Sequence, residues 1–413
     1  MNNYTVSQEI KKVFNLLLDN KSVKEAIAFI EKDLDQTIED QKELVQVESP
    51  TFQEDKRAKH YAKMLTDLGL EDVHIDNYGN VLGYYKGIKE GPTVLLEAHL
   101  DTVFPFGTDV TPKEKDGKIF APGICDDTRG LAANLSVVRA LVKFKPQIHG
   151  NIIIAGTVEE EGLGGMGGMR ELLKNHPEID ASISIDGSGR DSVSYQATGI
   201  KNYTVTYTGP GGHAYGAFGL PNPIQAAARA ITKLGDLTPP KKPKTTFAVS
   251  LVEGGHQIHA IAEKANFKIN MRSDSAKELE KLEQKAIEIF ILGAKEENER
   301  WDSEEIKVEF KKILDVPAGD QDKNSFIVQT AYAATEAVGV TPRLSDGGCT
   351  NTNQAIDLGV PAVTVGRGGK EGGVHSLAEW FDPDGVYKAS QKSLLMLLAL
   401  TGIVNLTDPI VKK

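Results

Sequence analysis

At 413 residues the chain is too long for one ordinary hydrophobic core, so two domains are expected. Its 58 Asp and Glu outnumber its 47 Lys and Arg, and the net charge of −11 disfavours a nucleic-acid partner, which requires clustered positive charge. Two cysteines, Cys125 and Cys349, are too few for a disulfide framework and fit a reducing, cytoplasmic setting; no signal peptide is visible in the polar start Met1–Ser7, and no membrane span is expected, since no apolar run approaches roughly 20 residues.

The first 70 residues read as helical. Phe14, Leu17 and Leu18 form an apolar stripe, and Ile27, Ile30, Leu34, Ile38, Leu44 and Val45 continue it near helical spacing. Ser49-Pro50 breaks the pattern, and Tyr61, Met64, Leu65 and Leu68 make a further amphipathic helix ended by Gly69. From about residue 72 the pattern becomes α/β. Buried-strand runs occur at 93–98, 152–158 and 181–185, and a helix with Leu131, Leu135, Val138, Leu141 and Val142 on one face lies between the first two. Residues 201–310 then read strand, helix, strand, strand, helix, strand, the ferredoxin-like order that closes into its own α+β domain. A fourth apolar strand at 360–365 resumes the first pattern, so the ferredoxin-like segment is an insertion. The expected division is 1–199 with 312–413 for the α/β domain and 200–311 for the insert.

Five short segments carry unusual polar groups: Glu97–Asp101, Pro122–Gly130, Val158–Gly164, Ile185–Gly187 and Gly373–Ser376. Each has a bland reading when taken alone. His99-x-Asp101 is a weak pattern, Asp126-Asp127 before a helix is ordinarily an N-cap, a glutamate triplet is usually a solvated face, and Asp-Gly after a strand is a turn. Four of the five, however, follow the end of an apolar strand, the edge where ligands collect in open α/β sheets. That edge can bring His99, Asp126, one or two of Glu159 to Glu161, Asp186 and His375 together. Several adjacent carboxylates cannot all stay ionised without compensation, and no Lys-rich or Arg-rich segment lies beside them. Two divalent cations resolve the conflict. Oxygen and nitrogen donors without thiolate suit zinc, cobalt or manganese better than calcium.

At this point the chain resembles the dinuclear zinc peptidases that include peptidase T, carboxypeptidase G and aminoacylase, from about residue 40 to the end and with the motifs in the family's order. The resemblance implies a three-layer catalytic domain around a central mixed sheet, with the insert serving as lid and as the contact of a homodimer. It implies His99, Asp126 and Asp186 on one ion and Asp126, Glu161 and His375 on the other, with Asp126 bridging and Asp101 fixing the His99 imidazole. Glu160 would be the catalytic base. Shifting the acidic triplet by one makes Glu159 the base and Glu160 the ligand, and both registers stay open here. Gly209–His213 resembles the lid motif whose histidine reaches the substrate carbonyl, and Asn270–Ser273 resembles the strand whose arginine, here Arg272, holds a substrate carboxylate. Two substrate-side segments depart from the family pattern: His259-Ala260-Ile261-Ala262 after Gly254-Gly255, and Gly347–Asn353.

The expected activity is hydrolysis of the amide bond of a small peptide by an exopeptidase with two divalent ions, zinc first. Alternatives are an amidohydrolase acting on N-acyl amino acids or other small amides, and a metal-binding protein without catalysis.

Overall fold

The computed structural model describes residues 4–345 and 347–412. The chain divides into two compact units, Met1–Ala197 with Asp320–Lys413, and Thr198–Gly319, against the 200–311 insert expected from the sequence.

The first unit is built on an eight-stranded mixed sheet. Across it the strands run Glu71–Ile75, Val81–Lys86, His149–Thr157, Lys89–His99, Ile179–Gly187, Ala362–Gly366, Ser192–Ser194 and Arg343–Ser345. The four strands from His149–Thr157 to Ala362–Gly366 are mutually parallel, and they contain the four apolar runs read from the sequence. Strand alternation sends Val94, Leu96, Ile152 and Ile154 to one face of the sheet and Leu95 and Ile153 to the other. The first face packs against Leu131, Leu135 and Val138 of the helix Thr128–Phe144 and against Leu394–Leu400 of the helix Tyr387–Thr401. The second face is covered by Met169, Leu172 and Leu173 of the helix Gly167–Asn175 and by Ala355. This is the expected three-layer arrangement: strands buried on both faces read as continuous apolar runs, and helices must supply both coats.

The N-terminal region forms four helices, Gln8–Asp19, Lys21–Lys32, Leu34–Val45 and Asp55–Asp67, with the break at Ser49-Pro50 falling between the last two. Asn20 ends the first helix and caps the second, its side chain accepting from the Val23 amide at 3.1 Å. A small antiparallel sheet made of Lys113–Lys115, Lys118–Phe120, Trp380–Asp382 and Lys370–Gly372 was not legible beforehand, because three-residue strands carry no periodicity. Among the described residues no helix is long and apolar enough to cross a membrane.

The second unit has the expected β-α-β-β-α-β order. Its sheet runs Thr245–Gly254, Lys264–Ser273, Gly199–Thr208, Lys307–Val316, antiparallel throughout. The helices Pro223–Gly235 and Ala276–Arg300 close one face over Tyr207, Phe267 and Phe290. Ser275 caps the longer helix by accepting from the Glu278 amide, in the Ser-x-x-Glu pattern that marks a helix start. Phe267 is fully buried and stacks edge-on against Phe290 at 5.8 Å between centroids. Phe267→Ala is expected to cost about 3–5 kcal/mol. Hydrogen exchange will locate the loss in Thr198–Gly319; equal loss of protection in the eight-stranded sheet would show that the two units unfold as one.

Candidate metal centre

The carboxyl ends of the four parallel strands share one edge, and each delivers polar groups there. His99 is the last residue of its strand, Glu160 and Glu161 follow Thr157, Asp186 is the penultimate residue of Ile179–Gly187, and Arg367 follows Gly366. Asp126 stands two residues before the helix Thr128–Phe144, and the Asp126–Asp127 peptide is cis. Gly130 in the first turn of that helix could be no larger residue, since a Cβ there would stand 2.3 Å from the Ile185 carbonyl oxygen. This close approach lets the helix start pack directly against the strand carrying Asp186.

The side chains converge on Asp126. Its Oδ1 lies 3.0 Å from His99 Nε2, and its Oδ2 lies 3.1 Å from His375 Nε2. Glu161 Oε1 stands 2.8 Å from His375 Nε2, and Asp186 Oδ1 stands 3.8 Å from His99 Nε2. Donors around a tetrahedral zinc, each at about 2.0–2.1 Å, are about 3.3 Å apart, so these spacings fit the donor set of such an ion. Thiolate plays no part: the buried Cys125 thiol donates to the Trp380 carbonyl at 3.4 Å. Among the described residues two groups of donors could hold a cation, His99 with Asp126 and Glu161, and His99 with Asp127 and Asp186. Asp127 Oδ1 accepts from the Gly130 amide at 3.1 Å and its Oδ2 from the His99 amide at 3.2 Å, whereas Asp126 turns its two oxygens toward the two histidines. Asp127 is the N-cap that the bland reading expected.

Asp101 organises two segments at once. Its Oδ1 accepts from the Glu160 amide at 3.1 Å, and its Oδ2 accepts from the Glu161 amide and the Thr51 hydroxyl, both at 2.9 Å. His99 Nδ1 lies 3.0 Å from the Asp101 carbonyl oxygen and 3.4 Å from its carboxylate. A proton on Nδ1 leaves Nε2 as the donor atom that faces Asp126. Glu159 points elsewhere: its Oε2 accepts from the Tyr78 hydroxyl at 2.8 Å. The structure thus brings Glu161, not Glu159, to His375.

Four groups at this edge were not singled out from the sequence. Arg367, only 4% exposed, donates through Nη1 to Asp126 Oδ1 at 2.9 Å and Asp186 Oδ1 at 3.0 Å, and its Nε donates to Glu371 at 3.1 Å. A single arginine, not a basic segment, is the compensating charge. The strand-end rule that found Asp186 applies equally to the residue after Gly366. Glu379 is buried four positions after His375 and accepts from the Gly123, Cys125 and Asp126 amides at 3.0, 2.7 and 3.2 Å. Asn351, in the segment compared above with a substrate-side motif, is buried and donates to Glu97 Oε2 at 2.9 Å and to the Thr157 hydroxyl at 2.8 Å.

In the second unit His213 is exposed on the short strand Gly212–His213, paired with Ala260–Ile261. Its Nδ1 accepts from the amides of Tyr215 and Gly216 at 3.2 and 3.1 Å, so the ring proton sits on Nε2. Arg272 is exposed on Lys264–Ser273 and donates through Nε to Asn270 at 3.2 Å.

Burial and charge pull the titrations apart. Burial opposes charge on His99, but hydrogen bonds with Asp101 and Asp126 and the nearby Glu160 and Asp186 outweigh it and raise its pKa well above the usual range. His375, half exposed, is raised to about 10 by its bonds to Asp126 and Glu161. Burial and then the adjacent Asp126 raise Asp186 to about 8, and burial raises Glu160 well above an ordinary glutamate. Asp126 is held well below its usual value, because Arg367 and the two histidines overcome its burial.

The fold and this cluster define an α/β protein whose sheet edge carries a mixed imidazole–carboxylate donor set suited to divalent cations. The chain belongs to peptidase family M20/M25/M40, whose model matches residues 95–399, and it is accordingly a hydrolase acting on amide bonds. It is similar to the aminopeptidase PepT of Bacillus cereus, with 25% identity, a TM-score of 0.73 and 88% of this chain and 97% of that one covered. A dinuclear metal-binding peptidase of Bacillus subtilis shares the fold at 16% identity, with a TM-score of 0.69 and 91% and 100% coverage. A succinyl-diaminopimelate desuccinylase of Nitrosospira multiformis is 27% identical over 334 residues, 74% of this chain and 84% of its own.

Cation binding at these atoms requires neutral imidazoles and ionised carboxylates. In the metal-free protein at pH 7 His375 and Asp186 hold protons, with values of about 10 and about 8, and the upward shift of His99 acts in the same direction. Loading zinc at pH 7 is therefore expected to release protons, fewer as the pH rises through about 8 and then about 10. Calorimetry in buffers of different ionisation enthalpy reads that number directly. Binding without proton release at pH 7 would contradict this charge assignment.

Proposed function

We propose that the protein is an exopeptidase that cleaves the amide bond of small peptides with two divalent ions, zinc first among them. The observation that carries the reading is the two-sided presentation of Asp126, Oδ1 toward His99 and Oδ2 toward His375. In this reading His99, Asp126 and Asp186 hold one ion, and Asp126, Glu161 and His375 hold the other. Bound by these residues, the ions would supply Lewis acidity, lowering the pKa of a water to about 7 and polarising the scissile carbonyl. Glu160 takes the proton of the attacking water and returns it to the leaving amine, a role suited to a buried carboxyl of raised pKa. Asp101 is the positioning residue, holding His99 by its ring and Glu160 and Glu161 by their amides. His213, with its proton on Nε2, is assigned as a donor to the developing oxyanion, supplied by a second copy of the chain in a homodimer formed through the inserted unit. Arg272 is assigned to a terminal carboxylate of the substrate. The low cysteine content agrees with a reducing, cytoplasmic setting.

The similarity to a desuccinylase favours a second reading within the same chemistry, hydrolysis of an N-acyl amino acid. A panel of tripeptides, dipeptides and N-acyl amino acids, assayed on protein reloaded with zinc, cobalt or manganese, separates the two. Turnover of unblocked peptides supports the proposal, and turnover confined to acylated amino acids supports the second reading. Glu160→Ala is expected to lower kcat by about 10²–10⁴-fold with metal content unchanged. Wild-type turnover in that variant would place the base elsewhere.

Asp101→Asn retains the side chain's shape but leaves one acceptor oxygen for the two amides. Its expected effect is a 10–100-fold loss of metal affinity or activity, of the order seen when a ligand's orienting partner is changed. Unchanged affinity and unchanged turnover would remove Asp101 from the positioning role.

A further inference from the structure

The donor atoms assigned to the two ions differ in what else holds them. Asp126 Oδ2 and Glu161 Oε1 are paired with His375; among the described residues Glu161 forms no ion pair with an arginine or lysine, and Arg367 meets the shared Asp126 through Oδ1. Asp126 Oδ1 and Asp186 Oδ1, the two oxygens on the His99 side, both accept from the same Arg367 Nη1.

Arg367 cannot easily be displaced from that position. Its amide donates to the Gly187 carbonyl at 2.8 Å, next to Asp186 in sequence, and its carbonyl accepts from the buried Arg129 Nε at 3.3 Å. The other edge of its guanidinium is held by Glu371, through Nε at 3.1 Å and Nη2 at 3.5 Å. The backbone is tied on both sides and the guanidinium is gripped at both ends. Being an arginine, it keeps its charge at every accessible pH.

We infer that Arg367 is a built-in counter-cation that weakens the His99 side of the centre, so that the protein binds one divalent ion tightly at Asp126, Glu161 and His375 and a second, exchangeable one at His99, Asp126 and Asp186. The inference rests on the two-ion reading above. A carboxylate oxygen has lone pairs for both a guanidinium and an ion. Sharing it still places a full positive charge beside the incoming dication in a buried, weakly screened site. On the other side His375 is half exposed, and Arg367 reaches only the shared Asp126 there, whereas on the His99 side it holds both Asp126 and Asp186. Arg367 also has a benefit: with the second ion absent, Asp126 and Asp186 keep a partner and stay aligned.

The test is a zinc titration of metal-free protein against a chromophoric chelator, with zinc-to-protein ratios measured after dialysis at fixed free zinc. The wild-type protein should bind in two steps separated by roughly 100-fold. Arg367→Gln should tighten the weaker step by roughly tenfold or more and leave the tighter step within about threefold. Because Arg367→Gln leaves Glu371 without its partner, the double variant Arg367→Gln/Glu371→Gln is measured beside it, with circular dichroism to confirm folding, and the same tightening is expected. Two steps of equal affinity in the wild type would overturn the inference whatever the variants do. So would folded variants whose weaker step is unchanged or weaker still. Failure of the wild type to bind any zinc would instead overturn the metal reading of the site, and this inference with it.

Discussion

The structure turns on a repulsion. Asp126, Asp127, Asp186, Glu160 and Glu161 meet at one sheet edge, and two like charges 4 Å apart repel by about 4 kcal/mol at an effective dielectric constant of about 20. No packing of apolar residues beneath them removes that cost. It is met by cations, by protonation, or by both. In the protein alone His99, His375 and Arg367 supply the positive charge, and burial pushes Asp186 up to about 8 and Glu160 in the same direction. In the function proposed, a pair of divalent ions would satisfy the same carboxylates without protons and turn the accumulated charge to use in amide hydrolysis.

Holding such a cluster requires that segments far apart in the chain be tied to one another, and the ties are acidic as well. Asp101 joins the end of one parallel strand to the Glu160-Glu161 turn after its neighbour. Asp127 caps a helix and holds the His99 amide. Glu379 collects three amides of the loop that ends in Asp126 and so binds that loop to the His375 segment. Each of these carboxylates is buried and accepts backbone N–H groups, the arrangement that best stabilises an anion away from water. The side chains proposed to bind metal are therefore supported by a second set of acids that ties the backbone together.

The fold was legible where sequence and burial share a period. The runs around Leu95, Ile153, Ile183 and Val363 are buried on both faces, so they announce parallel strands, and parallel strands place their loops at one edge. That reasoning alone reached His99, Asp126, Asp186 and His375. It could not distinguish Asp126 from Asp127 by residue type; the two differ by which oxygens the helix start consumes. It left the Glu159–Glu161 register open; in the structure Glu159, at φ 60°, accepts from the Tyr78 hydroxyl, and Glu161 stands beside His375. Arg367 carries no sequence signal of this kind, because a lone guanidinium at a strand end, not a basic segment, meets the carboxylates. Glu379 and Asn351 act through hydrogen bonds across some 250 residues of chain, which no local pattern encodes.

The central claim, that these carboxylates and imidazoles are gathered to hold two cations, is tested most directly by anomalous diffraction at the zinc edge from crystals grown with zinc. The account predicts two peaks, one among His99, Asp126 and Asp186 and one among Asp126, Glu161 and His375, with Asp126 shared. Peaks elsewhere, or none at this edge in protein that retains its fold, would contradict it.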